Sequence, residues 1–563
     1  MRPTSAVPSG TSEHAAGADG LRPADGRRSP AADDPAQAPA SGSLARATLL
    51  SALLTVAGSL LGLGRDQALA HFFGAGEGTD AFLVAWTVPE MAATLLIEGG
   101  MAYVLVPAFS VALARRARAA AGHDPVRALI ASSLPRLCLG LAAAAAVLMA
   151  GAPELVSLLA PGLPDASLAV DCTRLASTCV LTFGLAGYCS AALRAHGSFL
   201  APATISAALN TAIIITMYGL GERWGVRSAA LGVALGGCCM LLAQAPSLWR
   251  RLAAKPRPQA WSANSGGDGR PLTFAVVATV LLFVLCRQSQ VLVERYFASG
   301  MPAGAISHLN YAQKVAQLPM SLALMVCVVT FPVLARAVAE GDLRQARDRT
   351  ERDLVLVGSL VLLGAAMVVA CAPQMIQLLF QRGAFTAADT AATASVMRVY
   401  AFGLLGHTLV GALVRSYFSA GRATWYPLGA MVVGLIVTIG VGAWTVGFWG
   451  APGIAAANAA GITLTALLLL HGLGAHSVAV RVPRVVAELA KPVGAAVCAA
   501  TAGLVCTQPF ASPPAAVAAG CVSVSAVFLL LVWALDMAGT RSLLLSAAHT
   551  VRRSVTRRFC HGR

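Results

Sequence analysis

Arg65, Asp66, Asp80 and Glu98 lie in the stretch GRDQALAHFFGAGEGTDAFLVAWTVPEMAATLLIEGG, beside or inside apolar runs long enough to enter a bilayer. A charge at the centre of a membrane helix costs about 2.5–3.5 kcal/mol on insertion scales, so such groups usually face a wet interior and mark a substrate or ion pathway. A second set sits in FVLCRQSQVLVERYFASG, where helical spacing puts Arg287, Gln290 and Glu294 on one face. In the following span Asn310, Lys314, Gln317 and Ser321 share a face in the same way. The chemistry open to these stripes is electrostatic: cations that hold an anionic cargo, and carboxylates that balance or move positive charge.

Each residue also has a plainer role open to it. Asp80 is placed to cap a helix behind GAGEGT, and Glu98 to snorkel or to pair structurally. Arg287 with Glu294, or Lys314 with an acid, would staple helices together. His308 and His407 read as hydrogen-bonded structural residues before proton carriers. No metal-ligand cluster, phosphate loop or nucleophile elbow is present, so neither a catalytic site nor a cofactor is expected.

The elements that carry these residues follow from composition. The 563-residue chain is 57% hydrophobic and 12% charged, with mean hydropathy +0.71, against roughly 45–50% apolar and 25% charged for a soluble domain. This is the composition of an all-α polytopic membrane protein. Its net charge of +16 sits in short loops, which is a topology signal and argues against nucleic acid as a partner. The 13 cysteines contain no C-x-x-C pair and read as small packing residues.

At about 20 residues per crossing, the apolar runs number about fourteen. They begin near residues 44–63 and 80–111 and continue at 129–150, 169–193, 203–219, 228–248 and 272–297. The remainder lie near 307–335, 353–371, 390–418, 425–446, 452–472, 486–507 and 515–537. With the N-terminus inside, Arg115, Arg116, Arg118 and Arg127, Arg250 and Arg251, Arg481 and Arg484, and Arg552 and Arg553 all fall on cytoplasmic loops or the tail. Arg223 and Arg382 are the main exceptions. Both termini are thus expected in the cytoplasm.

The chain repeats itself. APELVSLLAPG from Ala152 matches APQMIQLLFQRG from Ala372, and FGLAGYCSAALRAHG from Phe183 matches FGLLGHTLVGALVRSYFSAG from Phe402, at an offset of about 220 residues. The expected organisation is two pseudo-symmetric six-helix bundles plus two C-terminal helices. Its parts are a cytoplasmic tail over 1–43, an N-terminal bundle over 44–250, a linker over 251–271, a second bundle over 272–472, two extra helices over 473–540 and a basic tail over 541–563. On an ideal helix Asp80 and Glu98 share a face with Thr87, Met91 and Thr94, roughly 27 Å apart, one acid near each mouth. Pro89 and Gly99-Gly100 should bend that helix.

The motifs GSLLGLGRDQALAHFFGAGEGTDAFLVAWTVPE, EGGMAYVLVPAFS, ASGMPAGAISHLNYAQKVAQLP, FPVLARAVAEGD and LFQRGAFTAADT together resemble the MurJ/MviN family, in order and over about residues 44–540. The resemblance implies a flippase of the bacterial inner membrane that carries lipid II, or another undecaprenyl-pyrophosphate-linked glycan. It further implies cavity cations that hold the head group, a groove at the last two helices for the lipid tail, and coupling to a cation gradient or membrane potential. The basic tail from Arg541 to Arg563 is suited to anionic membrane lipids or, on the alternative of a transport-inactive membrane scaffold, to cell-wall synthesis proteins. By position, Arg65, Asp66, Asp80 and Glu98 match family residues, and Lys314 stands where the family has arginine. Ser59, Ala93 and Thr94 replace three family arginines, and Glu90 replaces an asparagine. Arg287 is expected to supply compensating charge.

Overall fold

In the computed structural model, residues 40–98, 100–118, 124–253, 274–325, 343–419, 424–476 and 480–535 are described, and every element among them is a helix. The first half comprises α1 (Ala40–Phe73), α2 (Glu77–Ala85), α3 (Thr87–Ala92), α4 (Gly100–Arg118), α5 (Pro125–Ala150) and α6 (Ala152–Leu159). It continues through α7 (Ala166–Ser177), α8 (Cys179–Ala195), α9 (Leu200–Ala203), α10 (Ile205–Trp224) and α11 (Arg227–Ala253). The second half holds α12 (Phe274–Ser299), α13 (Ala305–Ala316), α14 (Leu343–Phe380), α15 (Ala387–Ser419), α16 (Tyr426–Trp449) and α17 (Ala451–His476). The last two helices are α18 (Val482–Thr507) and α19 (Pro513–Ala534).

Twelve helical segments among the described residues are long and apolar enough to cross a membrane, and each coincides with an expected span. Of the two expected spans outside that set, the seventh corresponds to α12, and α13 covers only the first part of the eighth, whose residues beyond 325 lie outside the described residues. These are the helices whose polar stripes hold Arg287, Glu294 and Lys314. The expected linker over 251–271 and the tails over 1–43 and 541–563 lie wholly or largely outside the described residues.

The second span departs from an ideal helix. The chain breaks at Trp86 between α2 and α3, then widens into a π-helical turn over Ala93–Glu98. Pro89 explains the break, because it has no N–H for the Ala85 carbonyl four residues before it. A π turn winds more residues per turn than an α-helix. Projecting Glu98 onto the Asp80 face at 3.6 residues per turn therefore does not hold past Ala93. The side chain of Glu98 lies outside the described residues. Across from this turn, a Cβ on Gly187 of α8 would run into the Leu96 carbonyl oxygen, so close approach depends on a residue without one.

The internal repeat is visible in backbone geometry. The connection between α10 and α11 turns at Gly225 (φ +54°, ψ −143°), and the one between α16 and α17 turns at Gly450 (φ +66°, ψ −142°). Only glycine adopts this conformation without strain. Two long helix pairs thus end in the same turn at matching points of the two halves.

The described residues from Thr48 onward form one compact unit. Its largest apolar cluster takes Leu69, Phe82 and Phe183 from the first half and Tyr311, Phe380 and Met397 from the second. Glu77–Ile97 is 67% buried in its apolar window whereas Pro125–Ala150 is 11% buried, so the charged second span is central and the third is peripheral. Leu139, Phe402 and Trp444 point outward, as side chains facing hydrocarbon do.

Candidate functional site

The site is built where α2, α3 and the π turn meet α12 and α13. Near the start of α2, the Asp80 carboxylate accepts hydrogen bonds from the backbone N–H of Gly304 at 2.7 Å and of Ser307 at 2.8 Å, and from the Ser307 hydroxyl. Asp80 therefore does cap a helix, but the helix is α13 of the other half. The chain can enter α13 this tightly because Gly304 has φ +94°, and a Cβ there would lie 2.7 Å from the Ala75 carbonyl oxygen. Backbone closes the same end elsewhere: the Ala384 N–H donates to the His71 carbonyl at 2.9 Å.

About 15 Å further along, at 1.5 Å per residue, Glu90 of α3 forms the second layer. Its carboxylate receives Nη2 of Arg295 at 3.0 Å and lies 3.9 Å from Nζ of Lys314. Nη1 of Arg295 donates to the Thr87 hydroxyl. The Arg295 side chain is 4% exposed, Glu90 25% and Lys314 35%, so the cluster is sealed on the arginine side and open on the lysine side. One turn on, Nε2 of Gln288 donates to the Thr94 hydroxyl at 2.9 Å. Asp80, Thr87, Glu90 and Thr94 all reach across to the second half.

Arg65 and Asp66 stand beside this layer. Nη2 and Nε of Arg65 reach one carboxylate oxygen of Asp66 at 2.7 and 3.0 Å, and Nη1 reaches Asn210 of α10 at 3.3 Å. The guanidinium also lies 4.3 Å from the Trp86 ring centroid, a cation–π contact. Arg65 is thus buried, paired and stacked, and the Trp86 ring it stacks on stands one helical turn from Glu90.

Arg287 and Glu294 take a different direction. Glu294 accepts the Tyr400 hydroxyl at 2.8 Å and an N–H of Asn458, whose oxygen lies 2.9 Å from His407 Nε2. This network belongs to α12, α15 and α17, inside the second half. Arg287 makes no ion pair among the described residues, so no Arg287–Glu294 staple forms. Asn310 lines a small recess with Val291, Arg295 and Gln313. Gln317 is half-buried and ends α13. His308 bonds Thr393 at 2.9 Å.

Sequence reasoning named most of these residues but missed the pairing of Glu90 with Arg295. The signal was a glutamate on the face of Thr87 and Thr94, where the resemblance has an asparagine, together with an unassigned arginine next to Glu294. Of the positions where the resemblance places arginines, Ser59 is exposed and bonds only the Thr55 carbonyl, and Thr94 bonds Gln288.

Outside the spans, Asp165 is the N-cap of α7. It accepts the Leu168 N–H at 2.9 Å and the Ser167 hydroxyl at 2.8 Å, and these bonds hold its carboxyl below the usual range. Arg481, just before α18, wraps Glu351 of α14 with contacts at 2.9 and 3.1 Å to the two oxygens and also reaches Asp348. Arg347 pairs with the same Glu351 at 3.3 Å.

The family described as "Lipid II flippase MurJ" matches residues 69–516. A lipid II flippase MurJ of Burkholderia cenocepacia is 28% identical over 441 residues, covering 76% of this chain and 84% of the relative. A probable lipid II flippase MurJ of Haemophilus influenzae is 27% identical over 448 residues, covering 75% and 84%. Among solved structures, a lipid II flippase MurJ in an inward closed conformation superposes with TM-score 0.71 at 19% identity, over 88% of this chain and all of that one. An inward-facing multidrug resistance MATE family transporter of the MOP superfamily gives TM-score 0.58 at 14% identity, over 78% and 99%; these two likenesses concern the fold. With the family matched over most of its length, the chain belongs to the lipid II flippase MurJ family.

Proposed function

We propose that the protein moves lipid II, the undecaprenyl-diphosphate-linked peptidoglycan precursor, from the cytoplasmic to the outer leaflet of a bacterial inner membrane. The observation that carries this reading is that Arg295 and Lys314 of the second half reach Glu90 of the first, one helical turn from Trp86, the ring on which Arg65 stacks. Cations drawn from two bodies can hold a diphosphate between them and release it when the bodies part. The named relatives act on the same class of cargo.

In this account the Asp80 end is the outer end, closed by the caps on α13, and both termini are cytoplasmic, as loop charge indicates. Transport proceeds by alternating access. The lipid tail runs along α18 and α19, outside the repeat. Glu294, buried between a hydroxyl and an amide with no cation bonded to it among the described residues, is the group we assign to coupling with a cation gradient or the membrane potential.

A second reading is favoured by Thr94. Where the family resemblance puts an arginine, this chain has a hydroxyl bonded to Gln288, which suits a head group of different polarity. The cargo would then be another polyprenyl-diphosphate glycan. The test is the purified protein in vesicles loaded with fluorescent lipid II or with a fluorescent prenyl diphosphate that carries a different glycan. Protein-dependent movement of lipid II supports the first reading. Movement of the lipid with the different glycan alone supports the second.

A further inference from the structure

Glu90 is the unusual member of the site. It puts a carboxylate among the cations that, on the reading above, hold the diphosphate. Arg65 already has Asp66 at 2.7 Å, so among the described residues Glu90 is the acid paired with both Arg295 and Lys314. Formally one negative charge faces two positive ones.

We propose that Glu90 is a built-in counter-anion, seated on Arg295 and Lys314 when no cargo is present and displaced by the anionic head group when cargo loads. Three features support exchange over a permanent staple. First, the fork of Arg295 is split, one nitrogen on Thr87 and one on Glu90, whereas a lasting arginine–carboxylate pair is commonly bidentate. Second, Lys314 stands 3.9 Å from the carboxylate, too far for a direct hydrogen bond, and is the most exposed of the three. An anion can therefore approach from the lysine side. Third, a buried cation left without an anion is strongly destabilising, so Arg295, sealed from solvent, needs a partner whenever the cavity is empty.

Displacement has a mechanical consequence. Glu90 belongs to the first half and its cations to the second, so the pair is a tie across the interface between the halves. An incoming diphosphate replaces that tie with its own contacts. Glu90 then returns to the cations as cargo leaves, which lowers the barrier to release. It is a specificity-determining and positioning residue, and its presence disfavours head groups with too little charge to displace it.

This inference rests on the anionic-cargo reading, and its test separates the two. The full chain in lipid nanodiscs is titrated with a prenyl diphosphate and a prenyl monophosphate, for the natural protein, Glu90→Gln and Glu90→Asp. Lipid II movement is measured in vesicles with the same proteins. Glu90→Gln should bind the diphosphate about tenfold tighter, with a steeper loss of affinity in salt, and narrow the preference over the monophosphate. Its maximal transport rate should fall. Glu90→Asp should stay close to the natural protein in binding. Equal or weaker diphosphate binding by a folded Glu90→Gln protein would overturn the proposal, because a staple predicts loss in both readouts. Should that variant not fold, Glu90→Gln/Arg295→Gln is compared with Arg295→Gln alone. Tighter binding by the double variant supports displacement from Lys314, and unchanged or weaker binding contradicts it. Tightened binding in a protein that never moves lipid II would remove lipid II as cargo and leave the role of Glu90 standing.

Discussion

Asp80 and Ser307 are 227 residues apart in sequence, yet the Asp80 carboxylate accepts both the backbone N–H of Ser307, at 2.8 Å, and its hydroxyl. One acid in the first half of the protein caps a helix in the second. Hydrogen bonds to charged groups contribute about 1.5–3 kcal/mol each, so this single side chain is a substantial part of what holds one end shut.

Asp80→Asn keeps the size and removes the charge. It should lower thermal stability and increase labelling of a cysteine placed at Ala75 by a membrane-impermeant reagent. Ser307→Ala should do the same more weakly, since the backbone bond to Asp80 survives. Unchanged labelling in Asp80→Asn would show that the end is closed by packing alone.

Among the described residues Arg295 bonds to the first half of the protein and Arg287 does not. Arg295→Ala should therefore reduce transport at least tenfold, equivalent to about 1.4 kcal/mol, whereas Arg287→Ala should change it less. The opposite ranking would restore the expected compensation by Arg287.

The fold was readable because apolar runs and an internal repeat each leave a direct mark on the sequence. The stripe of Asp80, Thr87 and Thr94 was readable too, and all three reach across the interface. Their partners were not. Asp80 is bound by two backbone N–H groups, which carry no residue signature, and Glu90 finds its cation on a helix about 200 residues away. The break at Trp86 follows from Pro89, but the π turn does not announce itself in residue types. Glu294 read as a cavity acid because Arg287 shares its face. Only packing shows that Tyr400 and Asn458 take it into the second half.

Asp165 gives a pH-dependent prediction outside the membrane. Its carboxyl is held below the ordinary value by the N–H of Leu168, so the native state binds its proton less readily than the unfolded chain does. Its contribution is full above the unfolded value, about pH 4, and is lost as pH falls through the lower folded value. Asp165→Ala should cost about 0.5–2 kcal/mol at neutral pH, and the difference in thermal stability between the two proteins should shrink in acid. A constant difference down to pH 2 would contradict the cap.

Glu294→Gln should retain binding of a prenyl diphosphate while transport loses its dependence on an imposed membrane potential or ion gradient. Parallel loss of binding and transport would mean that the Tyr400–Glu294–Asn458 network is structural.

The central claim is that cations between the two halves carry a lipid-linked diphosphate across the membrane. Its most direct test is rescue of a bacterium depleted of its own lipid II flippase, by the natural chain and by Arg65→Ala, with expression and membrane insertion confirmed for both. The account predicts growth with the natural chain and none with Arg65→Ala. Failure of the natural chain, or equal rescue by both, would contradict it.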